Sequence, residues 1–223
     1  MQTTPRGDAP PSPTTGDDRH GACRDCGEPL RNAVVCELCG ALNRNPVPSD
    51  PFTLLGLAEE FEMNPAALRS TYRAVARRVH PDRFTGADDE TRALAARLSA
   101  ETNHAYQVLS DPVRRADFLL VRAGGPTSTT LREVPAGLLA ETMTLREEIE
   151  TAKDAGDAAA LERNRVAISA RRRDALEQIA AAAARLPACD DAQMATLRRQ
   201  LNAMKYYDNL LAELAGDPLG RTG

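Results

Sequence analysis

Four cysteines stand in two matching groups, Cys23-Arg24-Asp25-Cys26-Gly27 and Cys36-Glu37-Leu38-Cys39-Gly40. A two-residue gap lets both thiolates of a group reach one metal ion. The glycine that follows permits the tight turn that aims backbone N–H groups at sulfur. Nine residues separate Cys26 from Cys36, enough for a short hairpin carrying Val34 and Val35. Four protein ligands leave no open coordination position, so the pattern predicts a structural metal centre on Cys23, Cys26, Cys36 and Cys39. Zinc is the first candidate, and iron in a rubredoxin-like site is the weaker one. Paired disulfides are the rival reading, disfavoured by the glycines and by a reducing compartment. Cys189 stands alone and reads as a small, partly buried side chain.

A second constellation is His80-Pro81-Asp82, which places an imidazole and a carboxylate in one short segment. It could be mistaken for a general acid–base site. The three histidines are far apart, however, and no glycine-rich phosphate loop is present, so a catalytic constellation is not expected. Its flanks suggest docking instead. Asn64-Pro65 reads as an N-cap followed by proline at the first helical position. Leu68, Tyr72, Val75 and Val79 then fall within roughly 60° of one another on a helix, an apolar stripe. Arg69, Arg73 and Arg77 lie off that stripe as a basic ridge, and Pro81 ends the helix by disfavouring helical geometry at His80.

The 223 residues suffice for one to three small domains, and aromatics are only 4% of the chain. Plentiful alanine and leucine favour a mainly α protein. The formal charge of −4 argues against general nucleic-acid binding. The N-terminus lacks an apolar signal core and no run reaches membrane-spanning length, so a soluble cytoplasmic protein is expected, with the mitochondrial matrix as the weaker option.

Along the chain, residues 1–20 read as a disordered tail rich in Pro, Thr, Gly and Asp. The cysteine module follows at 21–45, then a proline-rich connector at 46–50. A helical domain runs over 51–123. Leu94, Leu98, Ala105, Val108 and Leu109 form the core stripe of its third helix, and Asp111-Pro112 opens a fourth. Gly124-Gly125-Pro126 begins a linker over 124–136. Three helices near 137–154, 157–186 and 190–215 have connections short enough for antiparallel neighbours in a bundle, placed at 137–216, with a tail at 217–223. Leu138, Thr142, Leu145 and Ile149 line the core side of the first. Leu139, Met143 and Glu147 form a second ridge roughly 100–180° away. Tyr206 lies about opposite Leu197 and Leu201 on the last helix. This apolar ridge edged by acid is either a partner surface or packs on another layer of the chain.

The segments Pro51–Leu57, Tyr72–Phe84 and Asn103–Pro112 together resemble the J-domain, the module by which J-type co-chaperones activate DnaK-type ATPases. The added bundle segments Leu145–Glu150 and Leu201–Leu210 are similar to the HscB family of J-type co-chaperones of iron–sulfur cluster assembly. The longer members of that family also carry an N-terminal tetracysteine zinc module. The fold this implies is a helical J-domain plus an antiparallel three-helix bundle, with a small zinc-ribbon-like module ahead of them. The resemblance implies that Arg69, Arg73, Arg77, Arg78, His80, Pro81 and Asp82 dock on an HscA/DnaK-type chaperone. It also implies that Leu139, Ala140, Met143, Thr144, Glu147 and Tyr206 bind an IscU-type scaffold. The family often has a larger apolar residue where Ala140 stands and an acid where Thr144 stands, which leaves those two contacts open. No enzymatic activity of its own, no nucleic acid and no membrane are implied; self-association stays open, and a general J-protein delivering unfolded clients is the alternative.

Overall fold

The computed structural model describes residues 21–44 and 50–216. The sequence expectations for the amino-terminal tail, the body of the proline-rich connector and the carboxy-terminal tail lie outside those residues. Seven α-helices are present among them: α1 Pro51–Leu55, α2 Pro65–Val79, α3 Asp89–Ser110, α4 Pro112–Arg122, α5 Leu138–Asp154, α6 Ala158–Ala183 and α7 Asp191–Leu214. The helix starts follow capping chemistry. Asp50, Asp111, Asp157 and Asp190 each accept a backbone N–H of the first turn through the side chain. Asp190 and Gln193 complete a reciprocal capping box. Such caps each contribute about 1 kcal/mol.

Two compact units divide the described chain. One comprises the residues up to Ala58 together with Arg69–Tyr106. The other comprises Glu59–Leu68 and everything from Gln107 onward. Within the first, α2 and α3 are joined by a stacked pair of rings. Tyr72 lies 4.2 Å centroid to centroid from Tyr106 at 17°, and its hydroxyl donates to Asn103 Oδ1 at 2.9 Å. Val75, Val79, Leu98 and Ala105 are buried as the stripes require, whereas Leu94 is only half-buried.

In the second unit, Leu145, Ile149, Ile168 and Leu210 form one core cluster, with Leu161, Tyr207, Leu211 and Leu214 packed on it. The antiparallel course shows in the cross-helix pairs. Arg171 of α6 pairs with Glu141 in the first turn of α5, and Arg172 with Asp208 of α7 at 2.6 Å. Three details depart from the sequence reading. Helix α6 stops at Ala183 rather than 186, and Leu186–Ala188 forms a separate 3₁₀ turn around Pro187. Helix α4 packs on both α6 and α7, so it joins the bundle as a fourth element. The 124–136 segment is a strap tied to α7. Arg198 Nε donates to the Pro126 carbonyl at 2.9 Å, and Asn202 Nδ2 donates to the carbonyls of Leu131 and Glu133 at 2.9 and 2.8 Å.

Between the cysteine groups there is no hairpin ladder. Each group is instead closed by its own single bridge, Ala22 to Pro29 and Val35 to Leu42. The physical reason is local: each C-x-x-C-G turn folds back on itself, so pairing is used up within the group. No described helix is long and apolar enough to cross a membrane.

Candidate functional site

The two cysteine groups are near copies offset by 13 residues. Gly27 N–H donates to the Cys23 carbonyl at 2.9 Å, and Gly40 N–H to the Cys36 carbonyl at 3.0 Å. Cys23 N–H reaches the Glu28 carbonyl and Cys36 N–H the Ala41 carbonyl. Gly27 and Gly40 take φ values of 76° and 78°, a region open to glycine without strain. All four sulfurs lie within 4.8 Å of one another. The closest pairs cross between groups, Cys23 with Cys39 at 3.6 Å and Cys26 with Cys36 at 3.7 Å. A tetrahedron with metal–sulfur bonds of about 2.3 Å has edges of roughly 3.8 Å, so the residues fit a four-thiolate ion.

Crowding splits the thiols. The Cys39 backbone N–H, helped by that of Leu38, pulls Cys36 down to about 7. A backbone hydrogen bond at Glu28 pulls Cys26 down, yet desolvation and its cysteine neighbours push it up to about 12. Four thiolates this close repel one another, and a divalent cation is what lets all four ionise together.

The His80 segment is held by its own backbone. His80 has φ −59° and ψ 129°, which ends α2, and Pro81–Phe84 forms a 3₁₀ turn. The Asp82 N–H donates to His80 Nδ1 at 3.3 Å, so a neutral ring carries its proton on Nε2, pointing outward from this bond. The Asp82 carboxylate stands 3.5 Å from the same nitrogen. His80, Asp82, Arg69, Arg73 and Arg77 are exposed, while Pro81 and Arg78 are half-buried.

On α5 the two predicted faces separate cleanly. Leu138, Thr142, Leu145 and Ile149 are buried. Leu139 and Met143 are 54% and 64% exposed, and Ala140, Thr144 and Glu147 are exposed beside them. The Thr144 hydroxyl donates back to the Ala140 carbonyl at 3.3 Å, which occupies its one proton. Tyr206 on α7 is half-buried.

Two buried cations escaped the sequence reading. Arg198 is 2% exposed and pairs with Asp117 while holding the strap. Arg115 lies 4.9 Å over the Phe61 ring and donates to the Leu109 carbonyl; burial pulls its guanidinium down from the usual arginine value. A signal for Arg198 existed: Met194, Leu197, Arg198 and Leu201 occupy one stripe, so a charge sits where the helix turns inward.

Comparison with known proteins agrees with this architecture. Residues 50–118 match the DnaJ domain and residues 134–215 the HSCB C-terminal oligomerisation domain. The co-chaperone protein HscB homolog of Ralstonia nicotianae is 39% identical over 112 residues, 50% of this chain and 64% of that relative. The homolog from Paraburkholderia phymatum is 41% identical over 114 residues, again 64% of its length. The chain thus spans just under two thirds of these relatives in the aligned stretch. Among solved structures, human HscB superposes with a TM-score of 0.70 at 23% identity, over 89% of this chain and 98% of that one, a likeness of fold. Chaperone HscB from Vibrio cholerae superposes with a TM-score of 0.63 at 32% identity, over 75% of this chain and 96% of that one. A DnaJ domain joined to an HscB-type carboxy-terminal domain, and a solved relative followed almost end to end, place this chain in the HscB family of J-type co-chaperones, with a tetracysteine module ahead of its J-domain.

Proposed function

We propose that this protein bridges a DnaK-type chaperone of the HscA kind and an IscU-type iron–sulfur scaffold, and is not itself an enzyme. In this reading residues 51–123 act as the J-domain and 137–216 as the scaffold-binding bundle. Arg69, Arg73, Arg77 and Arg78 steer the approach to the ATPase, since exposed charge mainly tunes association rate and register. His80, Pro81 and Asp82 form the contact that triggers hydrolysis. Leu139, Met143, Glu147 and Tyr206 hold the scaffold. Ala140 and Thr144 sit at its edge and contribute less, because alanine offers little area and the threonine hydroxyl is already bonded within α5. Hydrolysis then locks the chaperone on the delivered scaffold. The four cysteines bind zinc in a structural role, and the protein works in the cytoplasm.

The observation that carries this reading is the exposed Leu139–Met143 ridge on a helix whose other side is fully buried. Two large apolar side chains one turn apart, both more than half exposed, offer a surface for a partner. The test is steady-state ATPase of an HscA-type chaperone with this protein and the scaffold added separately and together. Synergy is expected, and Leu139→Ala/Met143→Ala/Tyr206→Ala should remove it while leaving basal stimulation. His80→Gln should abolish stimulation while scaffold binding persists. Stimulation without any scaffold synergy would favour a general J-protein that delivers unfolded clients.

A further inference from the structure

The cysteine module has a very small core of its own: Cys23, Leu30 and Cys36, with Ala41 packed on them. Yet the stretch between its two groups is among the most buried in the molecule. Asn32, Ala33, Val34 and Val35 are 2%, 3%, 0% and 0% exposed. Part of what covers this stretch is α1. The Ala33 N–H donates to the Thr53 carbonyl at 3.3 Å. Gly56, at φ 66°, approaches so closely that a Cβ there would stand 2.1 Å from the Arg31 carbonyl oxygen and 3.3 Å from Asn32 Cβ. Only a glycine admits both this backbone turn and this contact. At the other end of the module, Arg44 donates to Thr91 Oγ1 at 3.0 Å and pairs with Glu90 at 3.5 Å, in the first turn of α3.

The stretch that meets α1 runs directly into the second cysteine group. Asn32 Oδ1 accepts the N–H groups of Val34 and Val35, both at 3.0 Å, and the next residue is Cys36. Helix α1 has five residues, too few to persist by its own hydrogen bonds, because helix nucleation is unfavourable and isolated helices this short do not hold in water. Its order must come from what packs on it.

We propose that the metal-loaded cysteine module is a brace for the J-domain. It clamps α1 through Arg31–Val35 and the head of α3 through Arg44, so that metal occupancy sets how well the first J-domain helix is ordered. The proposal rests on the reading of the four cysteines as a metal centre and not on the docking reading. Loss of the metal frees Cys36, then the Asn32 turn, then the seat of Gly56. The carboxy-terminal bundle has its own core and does not share this dependence.

The experiment is hydrogen exchange on the full chain, zinc-loaded and zinc-stripped, with bound zinc measured in parallel. Stripping should speed exchange of the hydrogen-bonded amides of Leu54, Gly56 and Leu57 by roughly tenfold or more, with α5–α7 unchanged. Gly56→Asn separates the contact from the backbone turn, since asparagine tolerates the left-handed region but brings a Cβ onto the Arg31 carbonyl. Its zinc-loaded form should exchange in α1 as fast as the stripped parent. Unchanged α1 exchange on stripping, or in zinc-loaded Gly56→Asn, overturns the brace. Equal loosening of α5–α7 overturns it as well, by showing a global effect. A chain that takes up no zinc at all refutes the metal reading beneath it.

Discussion

The cysteine module and the carboxy-terminal bundle are both ordered, but by opposite means. In residues 21–44 the fixed points are four sulfurs and the two glycine turns that aim them, with only a few apolar side chains behind. In α5–α7 the fixed points are Leu145, Ile149, Ile168 and Leu210, packed with no cysteine among them. Burial of apolar area is spread over many contacts, so losing one side chain weakens it only in part. A four-thiolate ion would instead concentrate stability at one point. An ion there would let one chain of modest aromatic content carry a module too small to support itself by burial alone.

That contrast can be broken most strongly at the ligands. On the proposed metal reading, Cys36→Ser or a strong chelator should remove a contribution on the order of 10 kcal/mol, the scale of four-ligand structural sites. If the four cysteines hold one ion, bound metal should fall to none, while the thermal transition of the bundle stays where it was. A bundle that melts with the module would erase the distinction. Next in size is Ile168→Ala. It empties a fully buried site and should cost about 2–5 kcal/mol in denaturant unfolding of the bundle, with exchange in the cysteine module unaltered.

Arg198→Ala comes third. It breaks the pair with Asp117 and the bond to the Pro126 carbonyl, so a loss of about 2 kcal/mol is expected. The strap amides should also exchange faster, which a mere loss of bulk in the core would not require. The smallest effect is electrostatic. The Thr91 backbone N–H, bonded to the Asp88 carboxylate at 2.7 Å, holds Asp88 below its ordinary carboxylate value. A depressed folded-state pKa contributes stability that is present above the unfolded value, near 4, and is lost as pH falls through the folded one. Protection of the first turn of α3 should therefore fade in acid, and Asp88→Asn should flatten that part of the pH profile. Because Asp88 is exposed, the change will be visible in local exchange rather than in global melting.

Much of the site could be read from spacing. The cysteine groups, the end of α2 at His80-Pro81 and the two faces of α5 all follow from rules that act within a few residues. The departures have two origins, the first two local and the third distant. The hairpin between the cysteine groups did not form, because each group satisfies its hydrogen bonds internally. Helix α6 ended early because the turn around Pro187 draws the chain out of helical geometry. The 124–136 segment reads as a linker by composition, yet α7 ties it down through Arg198 and Asn202, whose partners lie about 70 positions away.

Local chemistry, then, wrote the helices, their caps, the cysteine turns and the exposed ridge, since φ/ψ limits, capping groups and side-chain period depend on near neighbours alone. Tertiary packing alone decided that Arg198 and Arg115 would be buried, that α4 would join the bundle, and that Gly56 would meet the Arg31 carbonyl. Each of those depends on which distant backbone happens to approach, and a buried charge or a missing Cβ acquires its meaning only from the atoms that surround it.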